Sequence, residues 1–345
     1  MQKVFVGLSG GVDSAVSAAL LVQQGYSVTG VFIKIWSPEF LECTWREDRL
    51  DAMRVCVALG IPFREIDLSK QYRDEVVENM LTDYQEGITP NPDVLCNEKV
   101  KFGHFAQWAF AQGADFIATG HYAQVVHKDG KAHLMRARDA AKDQSYFLYR
   151  IEQSVLARSI FAIGDMHKKD VRAHAQKLQL PIADKPDSQG LCFVGQVSLR
   201  EFLGRFITIE TGVVENMKGI AIGKHDGAVF YTLGQRQGLH LDSTHNGAPQ
   251  FVVAVDVARN VVRVSPDRSD ASVREIHIAH MHWISENPSF PISAAMQTRY
   301  HENSVDGEIS AEGHVVFKEP HLAAPGQSLV FYRDEECLGG GIICA

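Results

Sequence analysis

An N-terminal α/β domain built on a parallel sheet, followed by a small β-rich middle domain and a C-terminal β-barrel, is the fold this chain predicts. Three observations lead there. The first 200 or so residues alternate apolar strand-like runs with stretches of helical spacing, the pattern of a parallel sheet covered on both faces. After Gly212 the texture shifts to short β-rich runs (227–232, 251–257, 261–265) separated by turn signals such as Ala258-Arg259-Asn260. From Glu275 onward short strands alternate with Gly/Pro turns, as in a small barrel. The 345 residues, 45% of them hydrophobic, suffice for more than one core. The expected divisions are 1–205, 206–268 and 269–345.

Val4-Phe5-Val6-Gly7-Leu8 reads as a buried parallel strand and residues 15–22 as the helix after it. Between them lies Ser9-Gly10-Gly11-Val12-Asp13-Ser14. Such a loop offers unpaired backbone N–H groups and the positive end of a helix dipole, which suits an anion. Gly10 and Gly11 permit close backbone approach, Ser9 and Ser14 supply hydroxyls, and Asp13 is suited to organising the loop or helping to hold magnesium. The Gly-Lys-Ser/Thr ending of a Walker loop is missing. Next come a strand at 28–35 and a helix at 46–59 with Leu50, Met53, Val57 and Ala58 on one face. A third strand spans 63–68, and Ser69 is placed to cap a helix running through Tyr84. A helix over 97–112 and a short strand at 116–119 complete the alternation. Ligands of such sheets sit at the carboxyl ends of the strands, where the Ser9 loop, Ile33 and Gly120 would fall.

The net charge of −8 excludes a global nucleic-acid signature, so any RNA contact needs a local basic patch. Residues 142–205 carry ten Lys/Arg against seven Asp/Glu, whereas residues 269–345 carry four against eleven. A polyanion therefore prefers the earlier part. The first apolar run is broken by Ser-Gly-Gly, and no secretory or membrane segment is read. Six cysteines without a C-x-x-C pair speak against a disulfide framework, a zinc site or a CxxC-held cluster, and for a reducing cytoplasm. Six of the fifteen histidines follow Ser269 without ligand-like clustering, and no metal site is read.

Two cysteines stand in polar company. Cys96 lies in Thr89-Pro90-Asn91-Pro92-Asp93-Val94-Leu95-Cys96-Asn97, a stiff extended stretch after which Asn97 can start the next helix. Asp93 is spaced to handle protons beside the thiol, and a helix N-terminus favours thiolate. Cys192 lies in Asp187-Ser188-Gln189-Gly190-Leu191-Cys192-Phe193. Free cysteine is more often a small buried apolar residue, and Cys43, Cys56, Cys337 and Cys344 are read that way or as surface residues.

The hexapeptide at 9–14 resembles the PP-loop of ATP pyrophosphatases. Together with TPNPDVLCN (89–97), ATGHYA (118–123), KDQSYFL (142–148), DSQGLCFVG (187–195), YTLGQRQGL (231–239) and APGQSLVFY (324–332), it resembles the bacterial tRNA-specific 2-thiouridylase family from end to end. Leu191 and Val194 stand where isoleucine is expected, and Ile33 where methionine is common. The resemblance implies an ATP-dependent sulfurtransferase acting on the C2 oxygen of the wobble uridine (position 34), with Mg-ATP, tRNAs for Lys, Glu and Gln, and an upstream persulfide donor protein. It implies Gly7, Leu8, Ser9, Gly10, Gly11, Val12, Asp13, Ser14, Ile33 and Gly120 as the ATP site. It implies Asn91, Pro92 and Asp93 at the target base, with Asp93 as acid/base. Cys192 would carry the persulfide and Cys96 would attack it or assist transfer, leaving a transient Cys96–Cys192 disulfide. His121, Lys142, Asp143, Gln144, Arg299, Tyr300 and Gln327 match tRNA contacts.

Each of these has a plainer alternative. His121 suits a hydrogen-bonded structural histidine, Lys142-Asp143-Gln144 ordinary loop polarity, Arg299 a salt bridge in an acidic domain, and 231–239 a structural turn that is not assigned as a site. A monomer is expected. Three rival functions remain open: a PP-loop synthetase that needs no cysteine pair, a thiolase holding an iron–sulfur cluster, and a non-catalytic RNA-binding or redox-switch protein.

Overall fold

The structure is a computed structural model that describes residues 1–38, 40, 45–187, 197–242, 249–285 and 287–344. Strands β1 (Lys3–Gly7), β2 (Ser27–Lys34), β3 (Phe63–Asp67), β4 (Phe116–Ala118) and a later strand, Ser159–Ile160, form one all-parallel sheet with β1 at its centre. Alternation along β1 divides the core. Val4 and Val6 pack with Ala15, Val16 and Leu21 of helix α1 (Val12–Gln23), while Phe5 faces Phe105 and Trp108 on the other side.

Helix α2 (Trp45–Leu59) turns a different face inward from the one its large residues suggest. Ala52, Val55 and Cys56 are buried, whereas Leu50 is 47% and Val57 83% exposed. The sheet sits too close for bulk: a β-carbon on Gly30 of β2 would lie 2.4 Å from Cys56 Sγ. Ser69 does not cap its helix through its hydroxyl. Its backbone N–H instead donates to Asp67 Oδ1 at 2.9 Å.

Between β4 and Ser159–Ile160 the chain makes a hairpin, β5 (Gln124–Lys128) and β6 (Lys131–Met135), turned by Asp129 and Gly130 at positive φ. Ser159–Ile160 is accordingly β7. The hairpin leaves its own sheet. β6 pairs antiparallel with β18 (Glu336–Ile343), placing Cys337 opposite Leu134. The middle domain is a five-stranded sheet of β8 (Gly212–Glu215), β9 (Ala221–His225), β10 (His240–Leu241), β11 (Phe251–Asp256) and β12 (Val261–Ser265), ordered β10-β9-β8-β12-β11.

The last six strands are β13 (Ser272–Trp283), β14 (Ile292–Gln297), β15 (Val305–Ile309), β16 (His314–Leu322), β17 (Ser328–Arg333) and β18. They close into a barrel through the β13–β18 pairing around Met296, Ile309, Val315, Leu329 and Phe331. The α/β sheet, the small β-rich sheet and the barrel occur in the order expected. Among the described residues no helix is long and apolar enough to cross a membrane.

Candidate active site

The phosphate loop follows β1. Leu8 N–H still donates to the Val31 carbonyl at 2.8 Å, after which the chain turns through Gly10 at φ +76°. A β-carbon there would lie 2.5 Å from the Asp48 carbonyl oxygen, so only glycine fits. The Ser14 hydroxyl accepts from Ser9 N–H at 3.2 Å and donates to the Gly11 carbonyl at 3.2 Å, which folds the loop over the helix start. The first turn of α1, without intrahelical acceptors for its N–H groups, presents its positive end to the loop. Gly120 packs against this turn so closely that a β-carbon would stand 2.6 Å from Ser14 N. One on Gly7 would touch Ile33 Cδ1 at 3.5 Å. Gly7 and Gly120 thus border the loop, and Ile33 packs beside Gly7.

Sequence reasoning missed three cations here. Lys168 Nζ lies 2.7 and 2.8 Å from the two oxygens of Asp13 and 2.9 Å from Asp187 Oδ1. Tyr122 donates its hydroxyl to Asp13 at 2.8 Å. Arg172 at 2.6 Å and Lys142 at 3.3 Å complete the cluster on Asp187. Burial alone would raise the Asp187 carboxyl, but these cations outweigh it and hold it down to about 2. Lys185 donates to the Gly10 carbonyl at 3.1 Å and to Asp48 and Asp51 at 2.8 Å each. The basic excess of residues 142–205 pointed to the region. The 155 positions between Lys168 and Asp13 hid the partner.

The thiol loop is built differently. Its helix begins at Pro92, not Asn97, because a proline at the first helical position loses no hydrogen bond. Cys96 therefore sits one turn inside the helix, 7% exposed, and not at its open N-terminus. From Cys96 to Phe105 the helix widens to π geometry. Asn97 Nδ2 donates to the Phe147 carbonyl at 3.1 Å. Asp93 lies one turn before Cys96, and burial pushes its carboxyl up, partly opposed by Lys101. Lys101 Nζ stands 3.4 Å from His121 Nε2, and Thr119 Oγ1 2.7 Å from His121 Nδ1. Burial, then the Lys101 charge, keeps the His121 imidazole well below its ordinary range and hence neutral.

Other residues flagged in the sequence converge on this loop from elsewhere. Gln327 Nε2 donates to the carbonyls of Thr89 at 2.9 Å and Pro90 at 3.1 Å. Tyr146 donates to the Ser328 carbonyl at 2.9 Å and also engages the Asn91 side chain. The Tyr300 ring lies 4.4 Å from that of Phe147, and burial, followed by the charges of Asp143 and Asp93, pushes its hydroxyl up to about 12. Arg299 donates to the Leu233 carbonyl.

Asp143 and Gln144 work inside the protein. Asp143 accepts from Ala137 N–H at 2.9 Å and pairs with Arg136 at 3.0 Å, and Gln144 Oε1 accepts from Tyr122 N–H at 2.9 Å. Cys192, and with it any approach to Cys96, lies outside the described residues, as does Cys43.

Residues 2–196 match the family described as tRNA methyl transferase HUP domain, 200–266 the tRNA methyl transferase PRC-barrel domain, and 273–343 the aminomethyltransferase beta-barrel domain. A tRNA-specific 2-thiouridylase MnmA of Xanthomonas axonopodis pv. citri (strain 306) is 44% identical over 99% of this chain and 94% of its own. That of Idiomarina loihiensis is 41% identical over 99% and 96%. One from Escherichia coli O1:K1 / APEC is 42% identical over 99% and 96%. The chain belongs to the tRNA-specific 2-thiouridylase MnmA family. The glycine turn at Gly10 and the thiol of Cys96, one turn after Asp93, are both present in this chain.

Proposed function

We propose that the protein is an ATP-dependent tRNA-uridine 2-sulfurtransferase that replaces the C2 oxygen of uridine 34 with sulfur. The observation that carries the reading is the bridge between its two loops. Gly120 abuts the phosphate loop at Ser14, and the next residue, His121, touches Lys101, whose charge bears on Asp93. Nucleotide and thiol chemistry thus lie a few residues apart. The matched HUP and PRC-barrel domain families are named for methyl transfer, but a thiol loop beside a pyrophosphate-type loop fits sulfur transfer.

The C2 oxygen is a poor leaving group. Its attack on the α-phosphorus of ATP expels pyrophosphate and makes it part of AMP, which departs readily. Residues 9–14, with the first turn of α1 and Lys168 and Lys185 near, stabilise the charge on the departing pyrophosphate. Asp13 would be the loop's hard oxygen donor for Mg2+, which would supply charge neutralisation there, in competition with Lys168, which holds both of its oxygens.

Asn91, Pro92 and Asp93 hold the base. Burial raises the Asp93 carboxyl, partly opposed by Lys101, which suits it to exchange a proton with the base. Cys192 carries the persulfide from a donor protein. The Cys96 thiolate attacks its inner sulfur, forming the Cys96–Cys192 disulfide and expelling hydrosulfide, which displaces AMP at C2. A reductant then restores both thiols. Disulfide formation needs the two Cα atoms about 4.4–6.8 Å apart. His121, Lys142, Asp143, Gln144, Arg299, Tyr300 and Gln327 serve tRNA binding in this reading, Asp143 and Gln144 by shaping the loop that presents Lys142. Cytoplasmic location, a monomeric state and the divisions 1–205, 206–268 and 269–345 belong to the same proposal.

The test is nucleoside mass spectrometry of unmodified tRNA-Glu incubated with the protein, Mg-ATP and a persulfide source. ATP-dependent 2-thiouridine is expected, lost in both Cys96→Ser and Cys192→Ser. ATP cleavage without thiolated product would move the protein to another acceptor. Full activity in either cysteine variant would remove that thiol from the mechanism.

A further inference from the structure

The turn at 231–239 of the middle domain is a built object. Gly234 and Gly238 sit at φ +78° and +87°. The buried Tyr231 donates its hydroxyl to the Gly238 carbonyl, and Gln235 N–H donates to the Thr232 carbonyl at 3.0 Å. Two backbone bonds, Gly234 N–H to the Val252 carbonyl at 2.7 Å and Val252 N–H to the Gln235 carbonyl at 2.9 Å, fasten it to its sheet.

Two groups of this rigid turn reach into the other domains. Thr232 Oγ1 is 2.9 Å from Thr89 Oγ1, and the Leu233 carbonyl accepts from Arg299. Thr89 is held at every polar group: its hydroxyl by Thr232, its N–H by the Pro325 carbonyl at 3.3 Å and its carbonyl by Gln327 at 2.9 Å. Contact is tight around it. A β-carbon on Gly326 would stand 2.7 Å from the Thr89 carbonyl oxygen, and one on Gly87 would stand 2.7 Å from Val257 Cγ2 of the middle domain. Downstream, Pro90 and Pro92 restrict the backbone, so an anchor at Thr89 carries stiffly to Asn91 and Asp93.

We infer that the middle-domain turn is a positioning element of the thiolation site, with Thr232 registering the loop that bears Asn91, Asp93 and Cys96 while the Leu233 carbonyl orients Arg299. The inference rests on the sulfurtransferase reading and deepens it. Neither residue touches the reacting atoms, so both act through the loop. Loss of the Thr89–Thr232 bond should therefore misplace the base segment without weakening capture of tRNA or ATP.

The test uses the full chain with Thr232→Val, Thr89→Val, the double variant and the conservative Thr232→Ser. Single-turnover 2-thiouridine formation, KM for tRNA and for ATP, and the thermal midpoint are measured. Each valine variant should lose about tenfold in kcat, the worth of one partly buried hydrogen bond. The double variant should lose no more than either single, because both remove the same bond. KM values should stay within about twofold, and Thr232→Ser should recover kcat. Unchanged kcat, additive losses, or a kcat loss tracked by KM or by the folded fraction and not repaired by serine would overturn the positioning role. A wild-type protein that forms no 2-thiouridine would sink the sulfurtransferase reading and this inference with it. An active wild type with variants that match it would sink the positioning role alone.

Discussion

The phosphate loop and the thiol loop belong to the same N-terminal domain, yet they are held in opposite ways. Residues 9–14 are fixed by their own hydroxyls, by a glycine turn and by ion pairs within the domain. Residues 89–97 are bonded to Phe147 and Tyr146 of their own domain and, at Thr89 and Pro90, also to the middle domain through Thr232 and to the barrel through Pro325 and Gln327. The contrast teaches which step needs the whole molecule. The phosphate loop is held entirely within the N-terminal domain, by strand, loop and helix and by Lys168 and Lys185. The segment that leads into Asn91, Asp93 and Cys96 is bonded at Thr89 to both of the later domains.

Four substitutions would break or sharpen that contrast. Cys96→Ser should lower sulfur transfer by on the order of 10³ or more while tRNA binding persists, since it removes a nucleophile and little volume. Filter binding beside the nucleoside assay checks this, and residual thiolation near wild type would refute it. Gly10→Ala forces a non-glycine residue to φ +76° against the Asp48 backbone. Strain of ~2 kcal/mol at the loop should cut ATP consumption about 30-fold, read as pyrophosphate release. A variant with normal ATP turnover would mean that the loop is less tightly drawn than its contacts indicate.

Gln327→Ala should act on the other loop, leaving the Thr89 and Pro90 carbonyls without their donor. Its sulfur transfer should fall about fivefold with ATP binding intact. A parallel fall in nucleotide affinity would erase the distinction between the loops. The smallest effect is on acid stability. Asp187 is held at about 2 against an ordinary 3.8, so the unfolded chain binds this proton first. Its ion cluster therefore stabilises the fold above about pH 4, and that contribution fades as pH falls toward 2. Asp187→Asn should flatten the acid limb of a denaturation profile over that window, and an unchanged slope would place the effect elsewhere.

Much of this was legible from local pattern. The apolar run before Ser9, the glycines of the loop and the strand–helix alternation specify the phosphate site, because strand, turn and helix cap are neighbours in sequence. What stayed hidden depended on distant partners or close packing. Lys168 and Lys185 look like ordinary surface lysines until the fold sets them on Asp13 and Gly10. The α2 face was misread because Leu50 and Val57 promise burial by hydropathy, while the helix buries Ala52, Val55 and Cys56 instead, with Cys56 tight against Gly30. Cys96 was expected at a helix mouth, since two prolines suggested an extended stretch, but the second proline opens the helix. The Asp129-Gly130 turn carried a hairpin signal, yet no local rule says that β6 would pair with a strand 200 positions later.

That pairing makes the chain a poor candidate for dissection. β6 hydrogen-bonds to β18, Gln153 Nε2 spans the Ala132 and Ile284 carbonyls at 2.8 and 3.0 Å, and the Arg136 guanidinium covers the Tyr332 ring at 3.5 Å. A fragment cut before the barrel would bare the edge of β6 and the pocket that Tyr332 fills. Raw strand edges invite pairing between copies. Truncated forms should consequently reach the aggregate before they reach the assay.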